Sequence, residues 1–227
     1  MQDSKTDHDE SHRSYEVNFK IPRCLTTYTE PDDYVLGVFG EITCTDESGI
    51  DSIAGTIQGY IIQVDRIIND GESLFDACDA HDQTVHDYAY VLFDLRSGGL
   101  KPAIEDQFGV VGAGDILILD RIEVLPAHRR RGLGLAAACS FLDIFETGCC
   151  LAVGEPYPMQ FKERTREHAE WCAKMGIDAF VQDEKLAIAK LRTYWRRLGF
   201  ERIRGSKKFA ISLQHRRPTL RELVPNL

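Results

Sequence analysis

Residues 120–138 read DRIEVLPAHRRRGLGLAAA. A strand end, a short loop with three arginines and two glycines entering a helix have the makings of a diphosphate site. Gly132 and Gly134 carry no side chain, so a ligand can approach the backbone closely. The first turn of a helix has N–H groups without intrahelical partners and a positive dipole end, and together these hold phosphates. Arg129, Arg130 and Arg131 add cationic charge. A hydrogen bond to a charged group contributes about 1.5–3 kcal/mol, so a few amides suffice. His128 stands beside them, either on the phosphate or with no role. The same letters fit the dinucleotide fingerprint G-x-G-x-x-A at Gly132, Gly134 and Ala137, with Glu155 near the distance of a ribose-binding acid. Against that reading, LPAHRRR separates the strand from the first glycine and three strands precede the unit. Too little βαβ pattern follows Glu155 to complete a parallel sheet. A loop–helix junction without any ligand fits the same residues.

Other candidates are weaker. Cys78, Asp82 and His86 fall four residues apart, with His81 nearby. On one helix face they could bind a metal, but a solvated polar face explains them as well, and no metal is expected. The cysteines are Cys24, Cys44, Cys78, Cys139, Cys149, Cys150 and Cys172, an odd number with no C-x-x-C pair. Reduced thiols in a cytoplasm suit that usage, and none has an activating motif for nucleophilic catalysis.

Charge divides along the chain. Residues 1–120 hold 24 acidic and 7 basic residues, net −17, and residues 121–227 hold 12 and 20, net +8. An acidic chain argues against a nucleic-acid binder, whose footprint is a basic face. The split suits an anionic ligand on the C-terminal half and a cationic one on the N-terminal half; solvated faces of mixed sign suit it too. With 227 residues, 43% hydrophobic and 28% charged, the composition is that of a globular domain with a sizeable core. No apolar run is long enough to span a membrane, and MQDSKTDHDESHRS has no secretory h-region.

These residues need elements to position them. Residues 1–14 read as a flexible polar tail. Alternation predicts strands over 15–21, 34–44 and 53–64, and helices over 72–80 and 83–93. Asp115 to Val124 is a strand with a near-continuous apolar start, covered on both faces. A helix from about Arg131 to Glu146 is apolar nearly all round and so packs deep. Further along come a buried strand over 150–153, a polar helix-prone insertion over 159–178, a helix over 183–198 ending at Gly199, and a strand over 209–213. The stretch after His215 reads as irregular.

The segment resembles the acyl-CoA signature of GNAT-type acyltransferases, [R/Q]-x-x-G-x-[G/A], here Arg129-Arg130-Arg131-Gly132-Leu133-Gly134 after I-E-V-L-P. The family's second landmark, Y-x-x-L-G-F at a helix end, is similar to YWRRLGF, with Trp195 where the tyrosine stands. The resemblance covers Asp115 to about Leu213. It implies an α/β fold of GNAT type: a mixed, mostly antiparallel sheet, helices on both faces and a splay between the two central strands. One such domain would span 15–227, with its acyl-CoA core at about 115–213.

The same resemblance implies that amides of Arg130 to Gly134 cradle the CoA diphosphate. Backbone groups of Ile122 and Val124 would pair with the pantetheine arm, and the Val124 amide would face the thioester oxygen. An amine would attack the thioester directly, with Glu123 or Asp120 as general base. Strict alternation puts those two on opposite faces unless a bulge intervenes. The acid that protonates the thiolate is in question. Trp195 cannot serve, and Tyr194 is one step away, about 100° round the helix. The family's frequent asparagine is not evident in GEPYPMQF. The expectation is thus an N-acetyltransferase using acetyl-CoA as cosubstrate and an amine-bearing small molecule or peptide as acceptor. No nucleic-acid or membrane partner is expected, and a homodimer is left open. A non-catalytic acyl-CoA-binding module is the alternative, and a nicotinamide-dinucleotide-binding protein the more distant one.

Overall fold

The computed structural model describes residues 13–23, 29–94, 96–112, 114–161 and 169–225. The tail expected over 1–14 lies outside the described residues as far as residue 12, and Cys24 and residues 162–168 lie outside them too. Ser14 already belongs to the first strand, so the sheet starts earlier than the composition suggested.

The strands are β1 (Ser14–Lys20), β2 (Val35–Thr45), β3 (Asp51–Ile62), β4 (Asp115–Val124), β5 (Cys149–Gly154), β6 (Glu201–Arg202) and β7 (Phe209–Ser212). They form one open sheet in the order β1-β2-β3-β4-β5-β7-β6. Only β4 and β5 run parallel; the other neighbours are antiparallel. The helices are α1 (Val64–Asp70), α2 (Leu74–His81), α3 (Gln83–Leu92), α4 (Pro102–Phe108), α5 (Leu133–Phe145), α6 (Ala169–Lys174), α7 (Glu184–Arg197) and α8 (Leu220–Leu223).

Side-chain alternation in the central strands divides the core in two. Ile116 and Ile118 of β4 join Tyr60 and Ile62 of β3 and the apolar residues of α1 to α4 on one face. Leu117 and Leu119 join α5, Trp195 of α7 and Leu223 of α8 on the other. β5 is buried throughout, as a strand covered on both faces must be. Aspartate caps fix two helix starts. Asp82 accepts from the Val85 amide at α3, and Asp183 from the Leu186 amide at α7, each at 2.8 Å, satisfying donors the helix cannot.

Several sequence expectations are corrected. The strand expected over 53–64 stops at Ile62, and Val64 opens α1 instead, closed by left-handed Gly71. α4 went unpredicted, although Pro102 starts it and left-handed Gly109 ends it, the usual punctuation of a helix. The insertion over 159–178 divides, in its described part, into two 3-10 turns and the short α6. α8, with a capping box between Thr219 and Glu222, interrupts the stretch read as irregular after His215. Cys78, Asp82 and His86 do not share one helix, because Asp82 separates α2 from α3.

Candidate functional site

The site begins with one surplus residue. Gln58 pairs with Arg121 and Gly59 with Leu119, so Asp120 has no opposite number on β3. Such a bulge resets the alternation. Before it, the odd residues Leu117 and Leu119 face α5 and α7; after it, the even residues Ile122 and Val124 do. Asp120, Arg121 and Glu123 therefore share the face of Tyr60. That settles the conditional expectation about the two carboxylates: they are brought together.

Pairing of β4 with β5 ends at Ile118 and Val153, while β4 continues to Val124. The strands part there. The Leu125 amide donates to the Ala54 carbonyl of β3 at 2.8 Å. By the alternation of an antiparallel ladder, Glu123 also turns its backbone to β3, and Ile122 and Val124 turn theirs the other way. Between the parted strands lies a cleft of about 440 Å³, walled by β4, by residues 155–160, by 175–181 and by α7.

The cleft runs to the start of α5. Gly132 caps the helix with φ 81°, a left-handed conformation that suits glycine. Arg130 has φ 65°, the one positive φ outside glycine among the described residues. That costs on the order of 1–2 kcal/mol, and such strain gathers at functional turns. Gly134 lines the cleft. Leu133 buries its side chain in the core, so only its backbone is available to a ligand.

The three arginines do not act alike. Arg129 turns inward: its Nε donates to the Val124 carbonyl at 2.8 Å, an Nη2 donates to the Met175 carbonyl, and its guanidinium lies over the Phe180 ring. It pins the 175–181 segment against β4 and lines the cleft with donors already engaged by carbonyls. Arg130 and Arg131 are exposed beside the helix start. His128 packs toward β1. It is buried, with Nδ1 3.3 Å from the Tyr15 hydroxyl of β1, and it does not line the cleft. Burial, then the charges of Arg13 and Arg131, hold its pKa below the ordinary value.

α7 supplies the far wall. Trp195 is buried, T-stacked on Phe200 at 4.8 Å, with its ring against Gly154 where β5 ends. A side chain on Gly154 would meet that ring and the Leu119 carbonyl oxygen. Trp195 thus wedges the parting strands. Tyr194 points elsewhere: a Cβ built on Gly134 would lie 2.5 Å from its hydroxyl. As a large buried side chain, Trp195→Ala is expected to cost about 3–5 kcal/mol. Urea unfolding of parent and variant measures this, and a loss below 1 kcal/mol would deny the wedge its role.

On the Tyr60 face a polar network surrounds the bulge. Glu123 is buried; its Oε2 accepts from the Thr56 hydroxyl at 3.3 Å. Arg121 lies 3.9 Å from both Asp120 and Glu123 and donates to Gln58 at 2.8 Å, and Gln58 donates to the Tyr60 hydroxyl at 3.0 Å. Burial, with the charge of Asp120, pushes the Tyr60 phenol up to about 12 and the Tyr88 phenol well above its usual value. Both stay protonated near neutral pH. Glu155, which follows β5, pairs at 3.3 Å with Lys208, whose buried ammonium lies over the Tyr88 ring. Glu155 is therefore on this network rather than beside a ribose.

Sequence reasoning missed Thr56, Gln58, Tyr60, Tyr88 and Lys208, which reach the site from other elements and have no local signature. Burial pushes the thiols of Cys78 and Cys149 up to about 12 and that of Cys150 to about 11, and a thiol so held is not the reactive thiolate. Among the described residues no group of three His, Cys, Asp or Glu could hold a metal, and no helix is long and apolar enough to cross a membrane. Compared with protein-family models, curated proteins and solved structures, the chain finds no match in any of the three.

Proposed function

We propose that this chain is an N-acyltransferase of GNAT type that moves an acyl group, acetyl in the simplest case, from acyl-CoA to an amine. The observation that carries the reading is the parting of β4 from β5 into a cleft that runs to the glycine-bearing start of α5. A pantetheine thioester is a narrow arm with a diphosphate at one end, and the cleft offers strand backbone along its length and helix amides at its end. Ile122 and Val124 present backbone groups to the arm. The Val124 carbonyl already accepts from Arg129, so pairing falls to the Val124 amide and to Ile122. Amides of Arg130 to Gly134 hold the diphosphate.

Acyl-CoA brings an activated acyl group; the chain orients it and handles the proton. The acceptor nitrogen forms a bond to the thioester carbon, the carbon–sulfur bond breaks, and an amide and the CoA thiolate result. The Val124 amide faces the oxygen that gains charge on the way. Glu123, on the adjacent residue and the opposite face, takes the ammonium proton directly or through water. Water protonates the thiolate, because Trp195 holds the position of the family's acid and its indole does not give up its proton near neutral pH. The acceptor approaches from the Tyr60 face, where Asp120 and Glu123 suit a cationic amine. A small molecule and a peptide both meet that description.

Trp195 at the acid position also favours a second reading, an acyl-CoA-binding module without turnover. A nicotinamide dinucleotide suits the fold less, since its usual site needs a parallel sheet and only β4 and β5 are parallel here. Calorimetric titration with acetyl-CoA and with NADH, followed by thiol release with a panel of amines, tests all three. Acetyl-CoA binding with thiol release is expected. Binding without release for any amine selects the module, and NADH binding with silent acetyl-CoA overturns the acyl-CoA reading.

A further inference from the structure

We infer that the Tyr194 hydroxyl is a ligand of the donor's diphosphate, a positioning group at the phosphate end of the cleft rather than an acid at the thioester end. This rests on the acyl-CoA reading above. Tyr194 and Trp195 are neighbours on α7, yet they serve different ends of the cleft. Trp195 sits where β4 and β5 part, against Gly154, and Tyr194 reaches the first turn of α5, against Gly134. Its ring packs on the core beneath α5, and its hydroxyl has no hydrogen-bond partner among the described residues.

Tyr194 and Gly134 both line the cleft, so the hydroxyl stands at the cleft beside the first turn of α5. A helix start offers N–H donors and the phenol offers an O–H, so an anion seated there accepts from both kinds at once. The phenol is held above its ordinary pKa, first by burial and then by the Cys139 thiol, against the opposing charge of Arg197. It therefore stays a neutral donor through the working pH range and never repels a phosphate. Gly134 is part of the same device. Any side chain there would meet the hydroxyl first, while the ring carbon that bears it is 3.7 Å from the built Cβ, an ordinary contact.

The test uses the full chain and CoA as probe. Calorimetry on parent and Tyr194→Phe is expected to show Kd raised about 10- to 100-fold, the worth of one hydrogen bond to a charged group. At saturating CoA, the phosphorus NMR lines of the bound diphosphate should move between parent and variant while the 3′-phosphate line stays. A purely structural role would not single out the diphosphate. Gly134→Ala should weaken CoA in the parent and do so much less in Tyr194→Phe, because the clash is with the hydroxyl. An unchanged Kd, unmoved diphosphate lines or full additivity in that cycle each overturns the inference. A folded parent that binds no CoA overturns the acyl-CoA reading instead.

Discussion

Gly134→Glu is expected to raise the Kd for CoA more than about 100-fold, a loss near 2.7 kcal/mol, while the protein keeps its fold. Two effects add. The new Cβ meets the Tyr194 hydroxyl, so the tyrosine must leave the phosphate end. The new carboxylate then stands against a diphosphate, and like charges about 4 Å apart repel by roughly 4 kcal/mol at an effective dielectric near 20. The fold should survive because Gly134 lies within α5, where other residues are at ease, and it lines the cleft rather than the core. An acid in the first turn of a helix is mildly favourable besides. Calorimetry gives the affinity and a thermal melt the fold. A folded variant with the parent's Kd would remove the diphosphate from this helix start.

Glu123→Gln is expected to lower kcat by about 10²–10⁴-fold, the range for loss of a general base. The amide is nearly isosteric and keeps an oxygen for the Thr56 hydroxyl, so the strand should not shift. What it cannot do is accept the ammonium proton. Asp120→Asn should cost less, because Asp120 stands at the bulge, near Tyr60 and Tyr88, whereas Glu123 is joined to Val124. Stopped assays of thiol release across pH decide it. A loss under fivefold for Glu123→Gln with a hundredfold loss for Asp120→Asn would move the base to Asp120.

The legible parts of this chain are those where local chemistry decides. The strand Asp115–Val124 was bounded correctly because DILIL, needing cover on both faces, can hardly be anything but a central strand. Gly199 and Asp183 marked the ends of α7 by their own conformational or capping preferences. α1 was misread because Ile61, Ile62 and Val64 continue a β-branched run, and only the end of the β2 pairing at Val35 and Ile62 stops the strand. Its neighbour α4 carried clear punctuation but is short.

In the candidate site, the backbone of Ile122 to Gly134 could be placed from sequence because it is one continuous strand–loop–helix. The polar network could not, since Tyr88 and Lys208 meet Asp120 and Glu155 only through tertiary packing. Arg129 looked like its neighbours in sequence; its turn inward depends on the Met175 carbonyl, which nothing local announces.

The surplus residue in β4 has a consequence for how the protein can change. Upstream of Asp120 the strand serves the core by one parity, and downstream it serves the cleft by the opposite one. Substitutions at any single position leave that phase alone, so the composition of β4 can drift while the two lining sets keep their faces. A one-residue deletion at 120 would bring Leu119 and Arg121 together opposite Gly59 and Gln58, and plain alternation would then keep Ile122, Glu123 and Val124 on their present faces. What the deletion removes is Asp120 and the extra local twist of the bulge. The surplus residue therefore adds a second carboxylate to the Tyr60 face without turning any residue that follows it.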